Sequence, residues 1–200
     1  MASTSSYFGE QSMVIKIVEQ INDDEILESA WQLYVDAFRE LNTLAVQRHM
    51  MYRSEFDEVM SDQRVQKYLC LDDDGTLCGL STYTNDLDAV PLISPHYFAR
   101  HWPDHYAARK IWYIGFVAVH PQAQGRHMFS QLVEEMYVIA ATQNGLVGID
   151  ICTYNDNVRH MSHIFRSMVE RLTANTLFKR IDQQSYWLWE FPKEDELRAA

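Results

Sequence analysis

The sequence is poor in cysteine and has no long hydrophobic run. Its 200 residues include only three cysteines, Cys70, Cys78 and Cys152, and no CxxC pair. This pattern indicates neither a disulfide framework nor a zinc site. No run of 18 apolar residues occurs, so no membrane-spanning helix is predicted. The first twelve residues lack the charged-then-apolar order of a secretory signal. These features predict a cytoplasmic protein.

Positive charge is also scarce. Lysine and arginine total 17 against 28 acidic residues, which gives a net charge of −11. This balance argues against nucleic acid as a partner, because phosphates need a basic surface. It argues equally against electrostatic docking on anionic membranes. A local basic pocket for a small anionic ligand stays compatible, since net charge describes the whole surface and not one site.

Apolar and aromatic residues are abundant, at 47% and 12% of the chain. That content supports one folded domain, which we predict over residues 13–192, with loose tails at 1–12 and 193–200. His96, His101 and His105 lie close together, but no cysteine or defined carboxylate accompanies them. We therefore expect an aromatic surface loop there and no metal site.

Hydrophobic periodicity predicts alternating strands and helices. Strands are predicted at 13–18, 65–71, 76–83, 111–119 and 146–152, with one or two more within 177–191. Helices are predicted after 22–24 and at 45–60, 124–144 and 157–172. Asp72, Asp73, Asp74 and Gly75 form a hairpin turn between two of the strands. The irregular segment 85–108 is rich in histidine and aromatics and is predicted to form a lid or wall. The order predicts an α+β fold with a mixed sheet covered by helices.

Residues 117–129 carry the most informative pattern. A buried strand stops at Pro121, a short polar loop with Gly125 follows, and a helix then begins. Free N–H groups at a helix start can bind a phosphate. Gly125 lets the backbone approach such a ligand, and Arg126 adds a cation. An ordinary strand-to-helix turn explains the same fragment equally well.

This fragment resembles the donor-binding motif of the GNAT superfamily, whose members transfer an acyl group from a coenzyme A thioester to an amine. The matching residues are Val117, Val119, Pro121, Gln124 and Gly125. The resemblance implies a GNAT-like, mostly antiparallel sheet of 6–7 strands flanked by about four helices. It implies acetyl-CoA or a longer acyl-CoA as donor, without a metal. The implied donor-binding residues are Val117, Val119, Gln124, Gly125, Arg126, His127, Met128 and Phe129, with Asn157 on the pantetheine arm.

The sequence departs from the family pattern at several positions. His127 and Phe129 stand where the donor loop has small residues, and both are bulky. Ile164 or Phe165 occupies the place of the tyrosine that protonates the leaving thiolate in many members. Gly115 occupies the place of the glutamate that serves many members as a base. The usual acid and base are therefore both missing.

Three other residues are candidates for these roles. Tyr113 lies two residues from Gly115 on the same strand and is expected on the same face. Asp150 lies in an apolar stretch, where burial would raise its pKa and make it a better base. Tyr154 follows that strand, near the expected thioester. The alternatives are two core tyrosines with a wet hydroxyl and an aspartate that caps or pairs. Backbone N–H groups near Val119 are a further source of oxyanion stabilisation.

Three functional hypotheses remain open at this stage. The first is an N-acyltransferase that uses acyl-CoA and acts on a small-molecule or protein amine. The second, suggested by the altered loop, takes the acyl group from a carrier protein, as the acyl-amino-acid synthase relatives do. The third is a GNAT-like domain that binds a ligand or partner without catalysis. The aromatic run 186–189 also predicts a possible homodimer through strand pairing.

Overall fold

One sheet organises the chain. The computed structural model describes residues 13–120, 128–173 and 176–190. Its five strands are arranged in chain order, β1-β2-β3-β4-β5. Their bounds are β1 Val14–Val18, β2 Gln66–Leu71, β3 Leu77–Thr84, β4 Ile111–Val119 and β5 Leu146–Ile149. The first four strands pair antiparallel, and β5 pairs parallel with β4.

Helices connect and cover the strands. Their bounds are α1 Asp24–Phe38, α2 Leu41–Leu44, α3 Arg53–Ser61, α4 Pro95–His101, α5 Pro103–Ala107, α6 Met128–Thr142, α7 Thr153–Asn157 and α8 Met161–Leu172, with a 3-10 turn at Leu87–Ala89. Asp23 begins α1 because its carboxylate accepts from the backbone N–H groups of Glu25 and Ile26. Among the described residues, no helix is both long and apolar enough to cross a bilayer.

Separate apolar clusters bury the two faces of the sheet. On one face, α6 and α8 pack Leu132, Met136 and Phe165 against the strands. On the other face, α1 and α3 pack Tyr34 and Phe56. A smaller third cluster joins the α4 and α5 region to the start of β4. The sheet is therefore covered on both sides, as a parallel β4–β5 pair requires.

The predicted mixed sheet is confirmed, but the predicted numbers of strands and helices are wrong. Within the described residues the sheet has five strands instead of six or seven. Short helices also lie between the four longer ones, two of them in the predicted irregular segment 85–108. Residues 176–190 contain no strand, so the predicted closing strands are not formed there, and their large apolar side chains are exposed.

Two predicted helices have different bounds in the structure. Residues 45–52 are not helical, and α3 begins only at Arg53. The Tyr34 hydroxyl bonds the backbone of His49 and Met51 and so competes with helical hydrogen bonds there. The predicted helix 157–172 is divided, because His160 adopts a left-handed conformation with φ 53° and separates α7 from α8.

Candidate active site

The two parallel strands pair along only half of β4. Ile111 to Ile114 pair with Leu146 to Ile149, whereas β4 continues to Val119. Among the described residues, the side of β4 that faces away from β3 has no strand partner from Gly115 onward. A gap therefore separates the second half of β4 from the residues that follow β5. Unpaired strand edges offer backbone donors and acceptors to a ligand.

A bulge at Gly115 lies where this gap begins. Thr82 on β3 pairs with Phe116, and the next residue, Tyr83, pairs with Ile114. Gly115 therefore has no partner residue on β3. A Cβ atom on Gly115 would lie 2.5 Å from the Thr82 Oγ1 atom. The position therefore needs glycine, and the bulge re-aims the strand beside the gap. A glutamate here would therefore collide with the Thr82 side chain.

Tyr113 and Asp150 meet across the two strands. The Tyr113 hydroxyl donates to Asp150 Oδ1 at 3.1 Å. Burial and the neighbouring carboxylate raise the pKa of Tyr113 above its ordinary value, so the hydroxyl stays protonated and acts as a donor. Gly148 leaves room for the ring, since a Cβ atom there would lie 2.8 Å from Tyr113 Cδ2. The structure thus brings together two of the three predicted catalytic residues.

Asp150 is not buried as predicted. It directly follows the last paired residue of β5 and is exposed to solvent. The apolar residues before it belong to the strand, but pairing ends at Ile149, so its side chain lies at the open end of the sheet. Among the described residues, Asp150 forms no ion pair. The gap therefore has a negative charge at its edge that no described cation neutralises.

His49 is a site residue that the sequence analysis missed. Its Nε2 atom is buried and has no hydrogen-bond partner. Burial lowers the pKa of His49, and the Asp150 carboxylate acts in the opposite direction. His49 is therefore close enough to Asp150 to respond to its charge. No sequence motif marks it, because its neighbour Asp150 is about a hundred residues away along the chain.

The predicted donor-binding residues fall into two groups. Gln124, Gly125, Arg126 and His127 lie outside the described residues. Met128 begins α6 but is buried, at 1% exposure, in the core. Phe129 packs edge-on against Phe165, with ring centroids 5.5 Å apart. Val117 and Val119 lie on the part of β4 beside the gap. Their backbone, and not the side chain of Met128, is available to a ligand.

The segment after β5 carries the two remaining predicted site residues. Asn157 ends α7 and is exposed, so it does not open a helix as predicted. Tyr154 is half-buried in α7, with the Arg159 guanidinium 5.5 Å from its ring centroid. Asn155 has a buried Oδ1 atom without a partner. An orphaned, buried amide oxygen is a feature that a ligand N–H group can satisfy.

Tyr97 on α4 and Trp102, between α4 and α5, form an aromatic wall with the C-terminal segment. The Tyr97 hydroxyl donates to the Ile181 carbonyl at 3.4 Å. Lys179 Nζ lies 5.1 Å from the Trp102 ring centroid. The His101 ring lies tilted against the Tyr97 ring, with centroids 4.2 Å apart, and its Nδ1 atom is hydrogen-bonded to the Tyr97 carbonyl. Within residues 13–120, 128–173 and 176–190, no group of three or more potential ligands could hold a metal ion.

Solved structures with the same fold add a first comparison. The aminoglycoside acetyltransferase meta-AAC0020, from an uncultured soil metagenomic sample and in complex with trehalose, shares 12% identity at a TM-score of 0.52, covering 88% of this chain and 97% of that one. A BH1408 protein variant from Bacillus halodurans shares 12% identity at a TM-score of 0.52, covering 89% and 99%. AAC(6')-Iy, in complex with the bisubstrate analog CoA-S-monomethyl-acetylneamine, shares 10% at 0.53, covering 90% and 99%.

Sequence comparison identifies the family. Identities of 10–12% to these structures show the fold alone. No curated protein sequence matches the chain. A family model described as the acetyltransferase (GNAT) family, however, matches residues 27–162. This range begins in α1, contains all of β2 to β5 and ends in α8, and it includes both strands of the gap. The chain therefore belongs to the GNAT acetyltransferase family.

Proposed function

We propose that the protein is an N-acyltransferase that moves an acyl group, with acetyl as the first choice, from acyl-CoA to an amine. The amine attacks the thioester carbonyl directly, and coenzyme A leaves as the thiol. The observation that carries this proposal is the gap between β4 and β5, in a chain of an acetyltransferase family. The acceptor is a small-molecule or protein amine.

The donor fits the unpaired half of β4. The pantetheine arm of coenzyme A contains two amides, which can hydrogen-bond to a strand edge as a peptide would. We place it along Val117 and Val119, with the thioester carbonyl near their backbone N–H groups, where an oxyanion would be stabilised. The pyrophosphate would lie on residues 124–129, and Asn157 or the orphaned Asn155 amide would bond the arm.

The acceptor fits the Asp150 side of the gap. An amine acceptor arrives as an ammonium ion, and the exposed Asp150 carboxylate offers it an opposite charge. The Tyr113 hydroxyl holds that carboxylate in place through the 3.1 Å hydrogen bond. Tyr154 remains the candidate proton donor to the departing thiolate. The aromatic wall around Tyr97 and Trp102 would enclose the remainder of the acceptor.

Binding of the acyl donor should be visible as thermal stabilisation of the protein. Acetyl-CoA at about 100 times its dissociation constant should stabilise the fold by about 2.7 kcal/mol. Differential scanning fluorimetry with acetyl-CoA and palmitoyl-CoA measures this, and the larger shift indicates the acyl class. Gly125→Glu should abolish the shift, because it adds a negative charge to the predicted pyrophosphate loop. Gln143→Glu adds the same charge just beyond the other end of α6 and should keep it.

Turnover then separates the three functional hypotheses. Release of free thiol from acetyl-CoA with spermidine, sisomicin or a lysine peptide supports the proposal. Turnover only with the acyl group on a carrier protein would support the second hypothesis, which His127 and Phe129 suggested. A thermal shift without turnover on any of these donors and acceptors would support a binding domain. No shift and no turnover would contradict the proposal.

The exposed C-terminal segment supports a homodimer as a second proposal. Trp187, Leu188 and Trp189 are 79%, 91% and 73% exposed, although their types favour strands. The outer edge of β5 has no strand partner among the described residues. The chain thus carries both an unpaired strand-forming segment and a free sheet edge. We propose that each copy adds this segment to β5 of a second copy.

Light scattering after size-exclusion chromatography tests the dimer. The wild type should elute with twice the mass of the chain, and replacing all three residues Trp187, Leu188 and Trp189 with serine should give a monomer. Leu92 is 94% exposed on a different segment, and replacing it with serine should leave the dimer intact. A wild type that stays monomeric over the whole concentration series would overturn the proposal.

A further inference from the structure

We propose that His49 is the catalytic base of the acyl transfer, accepting a proton from the acceptor ammonium while Asp150 binds that ammonium. This inference rests on the proposed function, and it names the base that the family position at Gly115 lacks. His49 lies in the non-helical segment 45–52 between α2 and α3.

Tyr34 fixes His49 next to β4. The Tyr34 hydroxyl donates to the His49 carbonyl at 3.1 Å and accepts from the Met51 N–H at 3.0 Å. The Tyr34 ring also packs edge-on against Phe116, with centroids 4.9 Å apart. Phe116 directly follows the Gly115 bulge. Tyr34 therefore links the backbone of His49 to the part of β4 where the gap begins, and Tyr34 is a positioning residue.

The imidazole has the environment that a base needs. Its Nε2 atom is buried and has no hydrogen-bond partner among the described residues, so its hydrogen-bonding capacity is unused and a substrate N–H group brought beside it can satisfy it. Burial lowers the pKa of His49 below its ordinary value of 6.5, with Asp150 opposing this, so the ring is neutral at pH 7. The nearby charges of Arg48 and Glu55 pair with each other at 2.6 and 2.7 Å. Tyr34 and Tyr113 add hydroxyls that stay protonated.

The reaction balances with these groups and Tyr154. His49 takes one proton from the ammonium, and the free amine nitrogen attacks the thioester carbonyl carbon. The N–C bond forms and the C–S bond breaks. Tyr154 donates its hydroxyl proton to the departing thiolate and takes the second nitrogen proton in its place, and the third remains on the product amide. His49 then releases its proton to water, which restores the neutral ring.

The test measures pH profiles and chemical rescue in the full-length protein. With acetyl-CoA and the most active of spermidine, sisomicin and a lysine peptide, wild-type kcat/KM should rise with pH through an apparent pKa below 6.5. His49→Ala should lower kcat by about 100-fold or more and should abolish this rise with pH, which is the acid limb of the profile. Added imidazole should restore part of the rate. Asp150→Asn should move the limb to lower pH, because it removes the carboxylate that favours the charged ring.

Several outcomes would overturn the inference. His163 lies exposed on α8, so His163→Ala serves as the matched control and should behave as wild type. A His49→Ala protein that keeps the wild-type rate and pH limb shows that His49 is not the base, while the acyltransferase function stands. A slow, folded His49→Ala protein that imidazole does not rescue also rejects the role. A wild type inactive on all three acceptors rejects the proposed function itself.

Discussion

Replacing Lys67 with methionine should lower the free energy of unfolding by about 3 kcal/mol. The Lys67 side chain is completely buried, and its Nζ donates to three backbone carbonyls, those of Glu19 at 2.8 Å, Asp62 at 2.6 Å and Val65 at 2.7 Å. Methionine fills the space of the stem but donates nothing. Each lost hydrogen bond from the charged Nζ costs about 1.5–3 kcal/mol, and relief of the buried ammonium offsets several kcal/mol of that sum.

Urea unfolding at pH 7 measures this loss, with the change expected in the midpoint and not in the slope. Lys16 on β1 is exposed, so Lys16→Met should change stability by less than about 0.5 kcal/mol. Lys67→Met stability equal to wild type would mean that the ammonium costs as much as its three bonds return.

The pH dependence of stability in the wild type and in Lys67→Met gives an independent check. Burial lowers the pKa of Lys67 to about 8 from an unfolded value of 10.5. The unfolded state therefore binds more protons between these values, and the contribution of Lys67 to stability rises with pH across that window. The gap between wild type and Lys67→Met should widen from pH 8 to 10.5. A constant gap would show that the buried lysine keeps its ordinary pKa.

Local sequence patterns predicted the elements that need no distant partner. The continuous apolar run 111–119 became β4 with the predicted bounds. The turn between β2 and β3 formed where three aspartates precede Gly75, whose φ of 78° is unfavourable for other residues. The acidic cap before α1 likewise depends only on neighbouring N–H groups. Each of these signals is contained within a few consecutive residues, so periodicity and cap chemistry were sufficient.

Tertiary contacts decided what the sequence could not predict. Residues 45–52 have apolar spacing that suits a helix, but a tyrosine on α1 takes their backbone groups. The run 186–189 has strand-forming residues, yet a strand exists only where another lies beside it. Asp150 follows an apolar stretch, and only the end of β4–β5 pairing reveals that it is exposed. His49 became a candidate only when Tyr34, Phe116 and Asp150 were seen around it.

Raising the pH should unfold the protein cooperatively at about pH 11. Five tyrosines are buried, with at most 7% exposure: Tyr34, Tyr68, Tyr83, Tyr113 and Tyr137. Burial raises the pKa of each above the ordinary value of 10, to about 12 for Tyr34. Their contribution to stability is complete below pH 10 and is lost as the pH rises, because only the unfolded state then releases these protons.

The size of the effect follows from the number of groups. One pH unit above 10, each tyrosine favours the unfolded chain by about 1.4 kcal/mol, or about 7 kcal/mol for all five. A typical domain has only about 5–15 kcal/mol to lose. Circular dichroism should therefore lose its folded signal at the same pH at which the five buried tyrosines add their tyrosinate absorbance. Tyrosinate absorbance from these residues before the fold is lost would contradict the prediction.

Tyr83 offers the sharpest variant for this test. Its hydroxyl is buried without a partner, while its ring stacks on Trp112 at 4.7 Å. Tyr83→Phe keeps the ring, removes an unsatisfied buried group and removes one of the five protons, so its unfolding midpoint should move to higher pH. Tyr186→Phe, in the exposed C-terminal segment, should leave the midpoint unchanged. A Tyr83→Phe protein that unfolds at lower pH than wild type would show that the hydroxyl is satisfied in solution, for example by a buried water molecule.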